Sequence, residues 1–178
     1  RKLMRERNYY GSMMVEMGDA DALISGITRN YRATIKPALE VIGREDGVSK
    51  VAGMYIMRTK KGTLFLADTT INLDPTAEEI ADLSAMIAKK VKQFKVKPRV
   101  ALLSYSNFGS TRTKDSKKMA KAAEILKEEY PNLVVDGEIQ GDFALDTEKM
   151  QRIFPFSPLA EESANTLIFP NLNAGNMA

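Results

Sequence analysis

The chain has 178 residues, 26 Lys or Arg against 23 Asp or Glu, a net charge of +3, and neither cysteine nor histidine. Within the chain these counts exclude a disulfide framework, a thiol nucleophile, a thiolate metal site and any Ser-His-Asp or Cys-His arrangement. The mild charge, with basic residues interspersed among acidic ones, argues against a nucleic-acid partner, and no apolar run approaches the ~20 residues that cross a bilayer. No charged-then-apolar leader pattern opens the chain, so a cytoplasmic protein is the default expectation.

Taken in chain order, Asn8 to Met17 reads as a short helix and Asp21 to Ser25 as a short buried strand. Asn30 to Ile42 reads as a helix that Pro37 kinks or restarts and Gly43 closes. Lys50 to Arg58 and Thr63 to Asp68 read as strands joined by the hairpin signal Lys60-Lys61-Gly62. Thr76 and Glu79 form a capping box that starts a helix reaching Phe94, with Ile80, Leu83, Ile87, Val91 and Phe94 on one apolar stripe. Arg99 to Ser104 is a continuous apolar strand. Asp115 to Tyr130 is a helix with Met119, Ala122 and Leu126 inward. Leu133 to Val135 is a strand, Asp146 to Ile153 a helix and Thr166 to Phe169 the last strand. Apolar rather than alternating strands, separated by helices, predict an α/β fold: a mostly parallel sheet covered by helices on both faces.

In such sheets, ligands bind beyond the carboxyl ends of the strands. Five polar segments are expected there: Ser25-Gly26, Asp68 to Asn72, Ser104 to Ser110, Asp136 to Gln140 and Asn171 to Asn176. Ser104, Ser106, Asn107 and Ser110 offer hydroxyl, amide and backbone N–H donors to an anion, or equally cap a turn. No base adjoins them, which disfavours a serine nucleophile. Asp136, Glu138 and Asp142 form an acidic cluster that suits a general base or cation site, or a strand end paired with lysines. Arg29 and Arg32, with Lys36, could hold a phosphate or the nucleotide of coenzyme A, or form a solvated basic face. Asn171 and Asn173 complete the candidate binding set. Asp19 and Asp21 read as turn and cap residues, and Met13, Met14 and Met17 as packing. Neither common glycine-rich nucleotide fingerprint occurs.

The segments GSMMVEMGDADALISG, ATIKPALEVIG, ADTTINLDPTAEEIADL, RVALLSYSNFGS, VDGEIQGDFAL and ANTLIFPNLNAGN, in this order, resemble the phosphate acetyl/butyryl transferase family over nearly the whole chain. The resemblance implies a fold like that of isocitrate and isopropylmalate dehydrogenases, of which this chain would be one lobe of a cleft. It also implies dimerisation through that lobe. The family contains stand-alone phosphotransacetylases, which exchange acetyl between coenzyme A and phosphate, and C-terminal domains fused to bacterial NADP-dependent malic enzymes. Ser106-Asn107-Phe108-Gly109-Ser110 looks like the fused version. So does Ile27-Thr28-Arg29-Asn30-Tyr31, where stand-alone enzymes usually carry a histidine. The resemblance therefore implies a regulatory and dimerising lobe that responds to acetyl-CoA. NADP and a divalent metal would be held by a region outside these residues, and the lobe alone would not be catalytic. A fragment of a phosphate acetyltransferase is the alternative. The opening without Met and the turn-rich end at Asn173 to Ala178 are expected of a piece of a longer chain.

Overall fold

The structure is a computed structural model that describes residues 2–46, 48 and 50–178. The chain divides into two compact units, Arg1–Val51 and Ala52–Ala178. Among its described residues the first contains a 3-10 turn at Leu3–Arg5 and two α-helices, α1 (Arg7–Glu16) and α2 (Tyr31–Val41). Glu6 caps α1, its carboxylate accepting from the Asn8 and Tyr9 amides at 3.0 Å. Asn30 caps α2 by accepting from the Ala33 amide. That helix runs unbroken through Pro37, and Gly43, at φ 75°, closes it in the left-handed conformation that glycine adopts without penalty.

The expected strand at Asp21 to Ser25 does not form. Leu23 is partly exposed, and Ile24 is 98% exposed. A strand needs a neighbour to take its backbone hydrogen bonds, and among the described residues of this unit there is no other strand. Leu23 instead lies against Gly11, where an added Cβ would come within 2.8 Å of its Cδ1.

The second unit is a five-stranded sheet. Its strands are β1 (Met54–Thr59), β2 (Gly62–Ala67), β3 (Arg99–Leu103), β4 (Val134–Ile139) and β5 (Thr166–Ile168), in the order β1-β2-β5-β3-β4. Only the β1–β2 hairpin is antiparallel. On one face α3 (Ala77–Gln93) and α4 (Lys114–Glu129) bury Ile80, Leu83, Ile87, Val91, Met119, Ala122 and Leu126 against Phe65, Val100, Leu102, Val135 and Ile168. The capping box at Thr76 and Glu79 is present. Phe94, the expected end of the stripe, is instead half exposed, with its ring tilted against that of Phe65 at 5.7 Å between centroids. On the other face α5 (Gly141–Ala144), α6 (Thr147–Ile153) and the turn at Pro158–Ala160 bury Ala144, Met150 and Leu159 against Ala101, Ile139 and Leu167. A last short helix, α7 (Leu172–Met177), follows β5. The expected α/β architecture, parallel and covered on both faces, is the observed one.

Candidate functional site

Because β2, β5, β3 and β4 run parallel, their carboxyl ends share one rim of the sheet. Asp68 to Asn72, Ser104 to Ser110, Gln140 and Asn171 sit there. Two expectations need correction. Ser25-Gly26 follows no strand. Asp136 and Glu138 are not beyond a strand end but inside β4, which runs on to Ile139. Both carboxylates are 2% exposed, and they are tolerated there because each has partners. The register slips by one residue between Leu102 and Leu103, opposite Glu138. Gly137 allows it: φ is 149°, and an added Cβ would lie 2.7 Å from the Leu102 carbonyl oxygen.

Glu138 is the hub of the serine segment. Its Oε1 accepts from Ser106 Oγ at 2.8 Å and from the Gly109 amide at 2.7 Å, and its carbonyl accepts from the Phe108 amide at 2.9 Å. Ser106 Oγ in turn accepts from the Thr111 amide at 3.0 Å and lies 3.3 Å from Ser110 Oγ. Ser104 Oγ accepts from the Ser106 amide. Asn107 and Gln140 bond reciprocally, Asn107 Nδ2 to Gln140 Oε1 at 2.9 Å and the Gln140 amide to Asn107 Oδ1 at 2.8 Å. A nucleophile must reach an electrophile, and Ser106 is 0% exposed. The segment is a turn stitched to β4.

Asp136 points elsewhere, to Lys127 Nζ at 2.6 Å and the Gly137 amide at 3.0 Å. A cavity of about 470 Å³ opens beside this pair, with Phe108, Arg112, Lys117, Lys127, Asp136 and Glu138 in its lining. Asp142 is apart from both acids. It pairs with Lys149, and the hydrogen bond from that ammonium holds its carboxyl below the usual range. Among the described residues no group of three potential metal ligands comes together, and no helix is long and apolar enough to cross a membrane.

Asp68 carries more of the rim than its neighbours in sequence suggest. Its carboxylate accepts from the amides of Gly53 (3.1 Å), Thr70 (3.0 Å), Ile71 (3.2 Å) and Asn72 (2.8 Å). The signal for this was an aspartate at a strand end followed by small polar residues, the pattern of an Asx-turn. Beside it α7 comes close: a Cβ on Gly175 would lie 2.7 Å from the Asp68 carbonyl oxygen. Asn171 caps α7, accepting from the Ala174 amide at 2.9 Å, and Asn173 is exposed on the same helix. Thr69 Oγ1 is buried without a hydrogen-bond partner.

Arg29 and Arg32 belong to the first unit. Arg29 is paired with Glu6, and Arg32 is exposed on α2. A smaller cavity of about 240 Å³ lies there, lined in part by Arg7, Asn8, Ser25, Gly26, Thr28 and Arg29. Its lining brings two guanidinium-bearing residues and several hydrogen-bond donors together, which suits an anionic group.

The family model described as phosphate acetyl/butaryl transferase matches residues 1–178. The chain is 39% identical to the NADP-dependent malic enzyme of Escherichia coli over 178 residues, which is 100% of this chain and 23% of that protein. It is 37% identical to the phosphate acetyltransferase of Bacillus subtilis over 177 residues, 99% of this chain and 54% of that protein. Among solved structures, a phosphotransacetylase from Streptococcus pyogenes superposes with a TM-score of 0.86 at 37% identity, covering 99% of this chain and 54% of that one. The chain thus spans about half or less of the length of these relatives.

Proposed function

This chain belongs to the phosphate acetyl/butaryl transferase family, and from that premise we propose that it is the regulatory, oligomerising lobe of an NADP-dependent malic enzyme. Acetyl-CoA is its effector, and the whole protein decarboxylates malate oxidatively to pyruvate in the cytoplasm. NADP and the divalent metal are bound outside these residues. The observation that supports this over transferase chemistry is the closure of Ser106–Ser110 onto Glu138. Of the hydroxyl and N–H groups that would hold a transferred phosphate, the Ser106 hydroxyl and the Gly109 amide are already donated to a buried carboxylate. A phosphate oxygen there would face that negative charge. The loop is therefore a scaffold, and Arg29 and Arg32 supply the positive charge for an acyl-CoA. Regulation requires that the effector prefer one arrangement of the protein, a coupling typically worth ~1–3 kcal/mol.

The test uses the full-length protein. Malate-dependent NADP reduction is measured with and without acetyl-CoA, for the wild type and for Arg29→Ala and Arg32→Ala. The expected result is a response to acetyl-CoA that the substitutions weaken while the basal rate stays. Acetyl-phosphate formation from acetyl-CoA and phosphate, with no effect on malate oxidation, would instead identify a phosphate acetyltransferase. The similarity to both kinds of relative keeps that reading in view.

A further inference from the structure

The cavity of about 470 Å³ beside α4 and β4 shares no lining residue with the proposed acyl-CoA site. One wall is a face of α4 on which Ser116, Ala120 and Ala123 recur at helical spacing, and three small side chains leave room that larger ones would fill. Asp136 and Glu138 of β4 also line it, and each is committed through a single oxygen. The bonds from Ser106 and Gly109 fall on Glu138 Oε1, and those from Lys127 and Gly137 on Asp136 Oδ1. Among the described residues, Glu138 Oε2 and Asp136 Oδ2 accept no hydrogen bond. Neither is one of the fully buried unpartnered atoms, which among those residues are Asn8 Nδ2, Ser12 Oγ and Thr69 Oγ1. Each oxygen therefore keeps some surface although its residue is only 2% exposed, and the surface both residues share is the wall of the cavity.

These groups set three requirements on an occupant. A buried carboxylate oxygen only accepts, so it calls for a donor. No group of three potential metal ligands comes together among the described residues, and a cationic ligand would meet Arg112, Lys117 and Lys127 in the same lining. The donor that fits is a neutral hydroxyl. Arg112 and Lys117 call for an anion. Both are exposed, and neither side chain has an ion pair or a hydrogen bond among the described residues. Phe156 calls for a flat ring. It is 69% exposed at the lining, yet its ring is held by Phe108 at 5.0 Å and Phe154 at 6.0 Å between centroids, which makes a stacking platform. Hydroxyls, an anion and a flat ring occur together in a nucleotide.

We propose that this cavity binds a mononucleotide, with its phosphate at Arg112 and Lys117, its ribose hydroxyls on the free oxygens of Glu138 and Asp136, and its base on Phe156. A 3′-phosphate would set negative charge in place of a hydroxyl donor against those carboxylates, so coenzyme A, which carries one, is disfavoured here. The proposal goes beyond the proposed function and does not rest on it. The test is made in the full-length protein with 8-azido-adenosine monophosphate as a photolabel. The label is expected on a peptide that contains Phe108 or Phe156, and adenosine monophosphate is expected to block it. The 2′,3′-dideoxy analogue, which lacks the two hydroxyls, and coenzyme A are each expected to block it at least ~10-fold more weakly. Lys117→Ala and Phe156→Ala, both at exposed positions, are each expected to raise the half-blocking concentration of adenosine monophosphate at least ~5-fold. Failure to label that peptide, labelling that adenosine monophosphate does not block, equal blocking by the dideoxy analogue or by coenzyme A, or two substitutions without effect would each overturn the proposal.

Discussion

Replacing Glu138 with alanine tests whether one buried carboxylate holds the segment after β3. The side chain is 2% exposed, and its Oε1 takes hydrogen bonds from Ser106 and Gly109. A hydrogen bond to a charged group contributes roughly 1.5–3 kcal/mol, so two contribute roughly 3–6. Burying the charge has its own cost, which the substitution removes. The net loss expected for Glu138→Ala is about 2–4 kcal/mol. Glu138→Gln keeps an acceptor oxygen in the same place and is expected to lose about half of that. The effect is also local. Thr111 bonds to Ser106, and Phe108 to the Glu138 carbonyl, so the loop should loosen before the sheet does. Urea unfolding gives the stability, and amide hydrogen exchange at Gly109 and Thr111 gives the locality. If Glu138→Ala leaves both the unfolding midpoint and those two amides at wild-type values, the carboxylate does not hold the loop and the argument against phosphate binding there fails with it.

Three further outcomes are expected. Gly175→Ala would bring a methyl group to 2.7 Å from the Asp68 carbonyl oxygen and 2.9 Å from Thr69 Cα, costing about 1–3 kcal/mol; limited proteolysis should then cut α7 first, and an unchanged digestion pattern would count against the close contact. Thr76→Ala removes half of the capping box of α3 and should lower stability by about 1 kcal/mol in denaturant unfolding. Asp74 and Glu78 bond to Lys118 and Lys121 of α4, and those bonds lower both carboxyl pKa values, that of Glu78 from 4.5 to about 2. The folded pKa values lie below the unfolded ones, so this contribution is present above about pH 4.5 and fades as pH falls towards 2. The Lys121–Glu78 pair is exposed on both sides, so high salt should flatten its part of the slope, and Lys121→Met should remove that part.

What the sequence determined by itself is the part governed by local rules. The Thr76–Glu79 box, the hairpin at Lys60-Lys61-Gly62 between β1 and β2, and the 3.6-residue stripe from Ile80 to Val91 each depend on contacts within a few residues. The continuous apolar runs of β3 and β5 likewise announced a parallel sheet covered on both faces. Tertiary structure decided the rest. Leu23 and Ile24 have the composition of a strand, but among the described residues of their unit there is no partner strand for them, and pairing is a non-local property. Asp136 and Glu138 look like loop acids until Lys127, Ser106 and Gly109 arrive from distant sequence to neutralise and bond them, which makes their burial affordable. Asp68 becomes the organiser of the rim through Gly53, 15 residues earlier in the chain. A carboxylate shows its charge in one letter of the sequence; whether that charge faces a ligand, a lysine or a turn depends on which backbone the fold brings within 3 Å of it.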